Sequence, residues 1–296
     1  MVIASNFHCL IPAAASLASL RAQSVTAWWG PRQSRSAKAL HRAPWSRLRC
    51  APPQASRVPR SHMASNSSGQ GKDTPQSGDI TDVQARIQAV ISDSSVDNRW
   101  DQLWKEGVTP WDVGTVTPVI QDLIDKGDLP DGRALVPGCG AGYDVFALAS
   151  EKRHAVGLDI SETVVKAALK KAAEDSKGRW VEFSVADFFD YAPEARFDLI
   201  FDYTFFCAID PSLRPAWAAK IADLLTQDGE LITLMFPLGE FDNGPPFAVS
   251  IESYEKELNP HGFTMTSCKD NELAIGSRKG REKIARWTRK ITSSKF

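Results

Sequence analysis

The residues able to do chemistry begin at L-V-P-G-C-G-A-G-Y-D, residues 135–144, and continue at an acid that follows them, Asp159. A short apolar run, Ala134 to Val136, leads into Gly138, Gly140 and Gly142. Glycines there let the backbone turn sharply and approach a ligand that a Cβ would hold away. A second apolar run delivers Asp159, 21 residues after Gly138. At the carboxyl end of a second parallel strand, such an acid can accept hydrogen bonds from both ribose hydroxyls. Strand, glycine turn, helix, strand and acid together predict a nucleoside-binding crevice. The glycines fall as G-x-G-x-G rather than the G-x-G-x-x-G of dinucleotide binders, and no arginine follows Asp159 to hold a 2′-phosphate. A nicotinamide oxidoreductase is therefore the more distant reading.

Other reactive side chains are sparse. Tyr203 closes the run F-D-L-I-F-D-Y, at a strand end where catalytic groups gather, with Asp202 beside it to orient it or to serve structure. Cys9, Cys50, Cys139, Cys207 and Cys268 are scattered, with no Cys/His spacing for zinc, so the reading is reduced thiols and no metal. Cys139, inside the glycine turn, reads as packing. His154 and His261 have no Ser or Cys partner at a motif spacing, which leaves a hydrolase triad without support. Trp100, Trp104 and Trp111 stand close together; on spacing alone they fit core packing better than a ligand-covering role. The basic end, Arg278 to Lys290, reads as a solvated face.

Elements must hold these residues in place. Thr117-Pro118 starts a helix that stops near Gly127, and strands are expected at 133–137 and 154–159. Ser161 caps a helix with Val164, Val165 and Ala168 on one face. Strands follow at 181–185 and 197–203, a helix from Asp210 through Leu225, and a turn at Asp228-Gly229 into E-L-I-T-L-M-F. A helix with Tyr254 and Leu258, a strand at 263–268, and a last segment readable as helix or edge strand complete the chain. This βαβα succession predicts an α/β fold with helices on both faces of a mostly parallel sheet.

Composition sets the boundaries. The 296 residues are 43% hydrophobic and 24% charged, which suits one globular domain with a tail. Residues 1–72 hold eight Arg, two Lys and no acid, leaving 25 basic against 36 acidic residues beyond them, a formal charge of −11. A basic, Ala- and Ser-rich leader has the look of an organelle transit peptide. Chloroplast is the first destination read from it, with mitochondrion second, and a cytoplasmic protein follows if it is a disordered arm or if Met63 is the start. Residues 1–75 are read as transit peptide and linker, and 95–296 as the catalytic domain. The leader's apolar start is broken by Pro12 and too short to span a membrane. So acidic a domain argues against nucleic acid as a partner.

The glycine turn, Asp159, V-A-D-F-F (185–189) and F-D-L-I-F-D-Y (197–203) resemble class I S-adenosylmethionine-dependent methyltransferases. More narrowly, W-x-x-x-W-x-x-G-V-T-P-W (100–111), F-D-Y-x-F-F-C-A-I (201–209), D-G-E-L-I-T-L-M (228–235) and the R-K-G-x-E-K-x-A-R-W end are similar to the plant thiol and halide methyltransferases of the thiopurine methyltransferase superfamily. The resemblance implies a seven-stranded sheet with its last strand inserted antiparallel, favouring a strand at 281–290. It implies S-adenosylmethionine as cofactor, with Gly138 and Gly140 by its methionine, Asp159 at the ribose, and Asp187 and Phe188 at the adenine. Trp100, Trp104, Trp111 and Tyr203 would close over cofactor and substrate, with Trp111 and Phe236 in the acceptor pocket. The implied acceptors are small anions: thiocyanate, hydrosulfide or thiols, iodide, bromide and chloride. Larger thiols are the runner-up, and a non-catalytic cofactor-binding protein is a further alternative. Two departures stand out: Val136 where many class I enzymes carry an acid, and Phe236 where close members can carry Tyr.

Overall fold

The structure, a computed structural model, describes residues 77–289, with side chains from residue 82. The leader and linker readings lie outside the described residues. Three helices come first: α1 (Ser77–Ser92), α2 (Arg99–Glu106) and α3 (Pro118–Asp125). The alternating part follows as β1 (Gly132–Pro137), α4 (Tyr143–Leu148), β2 (Arg153–Asp159), α5 (Glu162–Glu174), β3 (Val181–Val185) and β4 (Phe197–Tyr203). It continues with α6 (Arg214–Leu224), β5 (Leu225–Met235), α7 (Ile251–Leu258), β6 (Phe263–Asp270) and β7 (Lys283–Arg289).

The seven strands lie in the order β3-β2-β1-β4-β5-β7-β6. The first five are parallel, and β7 runs antiparallel to both β5 and β6. The expected architecture is therefore present, and the ambiguous last segment is a strand. From β1 the chain winds outward through β2 and β3, then returns to lay β4 on the other side. At such a reversal the flanking connections diverge and leave a crevice at the carboxyl ends.

Two apolar layers fix the sheet, and the two-residue period of a strand sorts side chains between them. Leu135 and Ile200 face a core with Trp217, Tyr254 and Trp287. Ala134, Val136, Leu199 and Phe201 face the opposite core, with Ile120, Val145, Phe146 and Val165. Burial on both faces explains why these strands read as continuous apolar runs. The Asp228-Gly229 turn is absorbed into β5: Phe197 pairs with Leu225 and Leu199 with Glu230, so the intervening residues bulge out. The helix before it accordingly ends at Leu224.

The helix α1 precedes the expected start at 95. Its Ile87 and Val90 are buried with Leu103 of α2 in a small third cluster beside Trp100 and Trp111.

Asp202 is fully buried and orients the loop after β4 rather than Tyr203. Its carboxylate accepts from the Phe206 amide (3.2 Å) and the Trp217 indole (2.9 Å). Burial pushes its carboxyl up to about 6, against the opposing pull of those bonds. A raised carboxyl favours the protonated folded state, so its stabilising share is complete at low pH and lost as pH rises through about 6. The stability of wild type relative to Asp202→Asn is expected to improve as pH falls from 7.5 to 5, followed by urea midpoints; a difference that does not vary with pH would refute this.

Gly157 in β2 supplies a second test. A Cβ there would lie 2.6 Å from the Phe183 ring and 2.8 Å from the Cys139 sulfur. Both neighbours are packed, so Gly157→Ala is expected to cost about 1–3 kcal/mol, seen as a lower urea midpoint at unchanged slope.

Candidate active site

The crevice is built upward from the turn after β1. Gly138 and Gly140 both have positive φ, +58° and +51°. A Cβ on Gly138 would lie 2.7 Å from the Phe205 ring, and one on Gly140 3.3 Å from Trp104. The glycines thus admit two aromatic walls as well as a turn. Asp159, at the end of β2, is 9% exposed. It accepts from the Gly140 amide and from the Ser161 amide, each at 2.9 Å. Burial raises its carboxyl, and the amides of Ser161, Gly140 and Ile160 oppose the rise. Cys139 beside it is packing: burial, then the Asp159 charge, drive its thiol well above the ordinary range.

The tryptophans form one wall of the crevice. Trp100 and Trp104 lie on α2, and Trp111 meets both edge-on, at centroid distances of 5.3 and 6.2 Å. That wall is anchored by groups that the spacing did not reveal. Asp101, buried on α2, accepts from Ser161 Oγ (2.7 Å) and the Thr163 amide (2.8 Å) and pairs with Lys105. Burial disfavours its charge, but the bonds from Lys105, Thr163 and Ser161 outweigh that and hold it well below the usual carboxylate range. Asn98 caps α2 and donates to the Ile160 carbonyl at 2.7 Å. From α1, Gln84 and Gln88 donate to the carbonyls of Pro245 and Gly244, in the loop carrying Phe247.

These parts enclose a cavity of about 620 Å³. Trp100, Trp104, Trp111, Gly138, Gly140, Asp159, Asp187, Phe188 and Phe236 all line it. Phe188 is buried with its ring 5.0 Å from Phe205, and Asp187 is spent partly on the Phe189 amide (2.8 Å). Tyr203 does not line the cavity. Its hydroxyl donates to Glu282 at 2.6 Å and accepts from Arg278. Burial, reinforced by Glu282, pushes the phenol well above its usual range against the opposing Arg278 charge.

Arg278 corrects the solvated-face reading of the basic end. It is 6% exposed and lines the cavity. Its guanidinium carbon sits 5.0 Å from the ring centroids of both Tyr203 and Phe236, and Nη2 donates to the Trp111 carbonyl at 2.9 Å. A basic run offered no signal separating this arginine from its exposed neighbours. Of the charged residues lining the cavity, Asp159 and Asp187 lie beyond β2 and β3 and the buried Arg278 beyond β4 and β5, with Asp97, Arg99 and Asp210 on the flanking segments. Among the described residues no cluster of His, Cys, Asp and Glu could hold a metal ion, and no helix is long and apolar enough to cross a membrane.

The fit to a nucleoside rests on the glycine cradle, which a Cβ would fill, and on Asp159. Asp159→Ala is expected to weaken S-adenosylhomocysteine binding by about 1.5–3 kcal/mol. Because it also frees the Gly140 and Ser161 amides, some loss of melting temperature is expected with it. Unchanged calorimetric affinity would remove Asp159 from the site.

Comparison with known proteins identifies the family and the fold. Residues 96–293 match the family described as thiopurine S-methyltransferase. A probable thiol methyltransferase 2 of Arabidopsis thaliana is 54% identical over 193 residues, covering 65% of this chain and 85% of its own. Thiocyanate methyltransferase 1 of the same plant is 44% identical over 218 residues, covering 74% and 96%. Among solved structures, one described as "Conversion of a Disulfide Bond into a Thioacetal Group during Echinomycin Biosynthesis" is similar in fold, with a TM-score of 0.51 at 23% identity over 62% of this chain and 87% of that one. The chain belongs to the thiopurine S-methyltransferase family, whose members draw the methyl group from S-adenosylmethionine.

Proposed function

We propose that this protein transfers the methyl group of S-adenosylmethionine to small anionic nucleophiles: thiocyanate, hydrosulfide and thiolates first, and iodide, bromide and chloride with them. The observation that carries this reading is the buried Arg278 guanidinium lining the cavity beside the Phe236 ring. When bound, the cofactor supplies a methyl carbon on a sulfonium, open to in-line displacement. The residues of the chain do the rest. Asp159 would accept the ribose hydroxyls, Asp187 would meet the adenine amino group with Phe188 beside the ring, and Gly138 and Gly140 would let the methionine part approach. The faces of Trp100, Trp104 and Trp111 attract a sulfonium at about 0.5–2 kcal/mol each without offering a competing nucleophile. Arg278 and Phe236 would receive the acceptor, an anion stripped of water and held for attack.

No base is needed for such acceptors, and the thiol and phenol nearest Arg278 are unsuited to the role. Burial pushes the Cys207 thiol up to about 12, and Tyr203 lies higher still, so neither ionises near neutrality. The formal charge of −11 beyond residue 72 would repel anions at long range. Screening over about 8–10 Å leaves Arg278 to decide locally. Thiols with an organic group are the second reading, favoured by the apolar wall of Phe236 and Phe247 and by relatives named thiopurine S-methyltransferase. The Arg-rich leader supports import into a plastid, which fusion of residues 1 to 75 to a fluorescent reporter would test; diffuse signal would count against it.

The mechanism is read from pH. The rate with iodide is expected to stay level between about pH 6 and 9, because iodide does not titrate there. Hydrosulfide should gain rate as its conjugate acid ionises. Headspace methyl iodide and methanethiol report the two, and a bell-shaped iodide profile would overturn the base-free reading. S-adenosylhomocysteine is expected to raise the melting temperature where NADH does not, which separates this reading from a nicotinamide enzyme.

A further inference from the structure

Glu282 is a carboxylate kept from water, only 3% exposed, that does not line the cavity. Burial of a charge is costly unless donors surround it. Its two oxygens are each engaged: Oε1 accepts from the Tyr203 hydroxyl at 2.6 Å and Oε2 from Asn271 Nδ2 at 2.7 Å. Tyr203 accepts in turn from Arg278 Nη1, and the other arm of that guanidinium reaches the Trp111 carbonyl. The bonds run in one direction, from arginine to phenol to carboxylate. With its proton drawn to Glu282, the phenol oxygen presents a lone pair to Arg278.

Backbone placement explains why such a chain is needed. Arg278 ends a short 3₁₀ turn, Gly276–Arg278, whose neighbours Ser277 and Lys279 are exposed. Its backbone alone does little to hold its head group. Glu282 immediately precedes β7, a strand pinned between β5 and β6, and its carbonyl accepts from the Asn271 amide at 3.1 Å. The carboxylate is therefore fixed by the sheet, while the arginine rides on a loop. Ring contacts with Tyr203 and Phe236 are not directional and do not aim its N–H groups. The bonds to the phenol and to Trp111 do.

We propose that Glu282 is a positioning residue for the acceptor: acting through Tyr203, it holds the Arg278 guanidinium where the attacking anion binds. The inference rests on the reading of Arg278 as the acceptor's partner. It differs from plain charge compensation in the sign of one effect. If Glu282 only neutralised Arg278, removing its charge would strengthen the field on an anion and lower the acceptor KM. If it positions Arg278, the acceptor KM rises.

The test uses the full chain with Tyr203→Phe, Glu282→Gln, the double variant and Arg278→Lys. Steady-state rates are measured with thiocyanate and with iodide, and S-adenosylhomocysteine affinity by calorimetry. Each of the first two changes is expected to raise both acceptor KM values about tenfold, the worth of one hydrogen bond to a charged group. The double variant should go no further than either single one, because both cut the same chain. The kcat and the S-adenosylhomocysteine affinity should stay within about twofold. Additive effects in the double variant, a lower KM in Glu282→Gln, or a parallel loss of S-adenosylhomocysteine affinity would each overturn the proposal. Arg278→Lys separates the two levels: unchanged KM there refutes the role of Arg278 itself. A raised KM there with unchanged Tyr203→Phe and Glu282→Gln refutes only the positioning. Should Glu282→Gln fail to fold, Tyr203→Phe decides alone, since it deletes one hydroxyl and both bonds to it.

Discussion

The cavity depends on one carboxylate held out of water by backbone amides. Asp159 binds the amide of Gly140 on one side and that of Ser161 on the other, and Ser161 Oγ passes the connection to Asp101 on α2. Glycine turn, second strand, α5 and the tryptophan-bearing α2 thus meet through three side chains. A group so placed cannot be optimised for one purpose. Burial raises its carboxyl, and only the amide donors keep the anion acceptable there. The open reversal between β1 and β4 supplies the space, and this junction gives the space its walls.

What could be read beforehand follows from which interactions are local. The β1-turn-β2 unit was legible because glycine spacing, strand length and the following acid all lie within 25 or so residues of one another. The antiparallel insertion of β7 was not legible from its own residues, since K-I-A-R-W-T-R suits a helix face or a strand edge equally. Only the resemblance favoured a strand. The helix α1 escaped notice because its polar, Ser-rich approach merges with the linker. It still carried a signal, with Val83, Ile87, Val90 and Ile91 recurring at helical spacing.

Arg278 and Glu282 were hidden for a different reason. In R-K-G-R-E-K every residue is charged or glycine, and composition assigns such a run to solvent. What buries two of them is the pairing partner, Tyr203, 75 residues away from Arg278 along the chain. The position of Tyr203 at a strand end was correctly read; its direction, behind Arg278 rather than into the cavity, depends on contacts that no local pattern encodes. Phe236 and the tryptophans were legible through motif alone, and their shared cavity gives the motif its spatial meaning.

The polarity of the cavity bears on turnover as much as on binding. On the proposed acceptor class, reactants arrive as a cation and an anion, and the reaction cancels both charges. The aromatic faces given to the sulfonium and the guanidinium given to the anion therefore grip what enters more firmly than what is made, while Asp159 and Asp187, at ribose and adenine, meet groups that the reaction leaves unchanged. Such a gradient works against the barrier, because charge already dispersing in the transition state is held less well than charge at the start. It works in favour of departure, since a neutral methylated product meets no field to retain it. A site built this way trades some speed of chemistry for ready exchange, and it resists inhibition by its own volatile product.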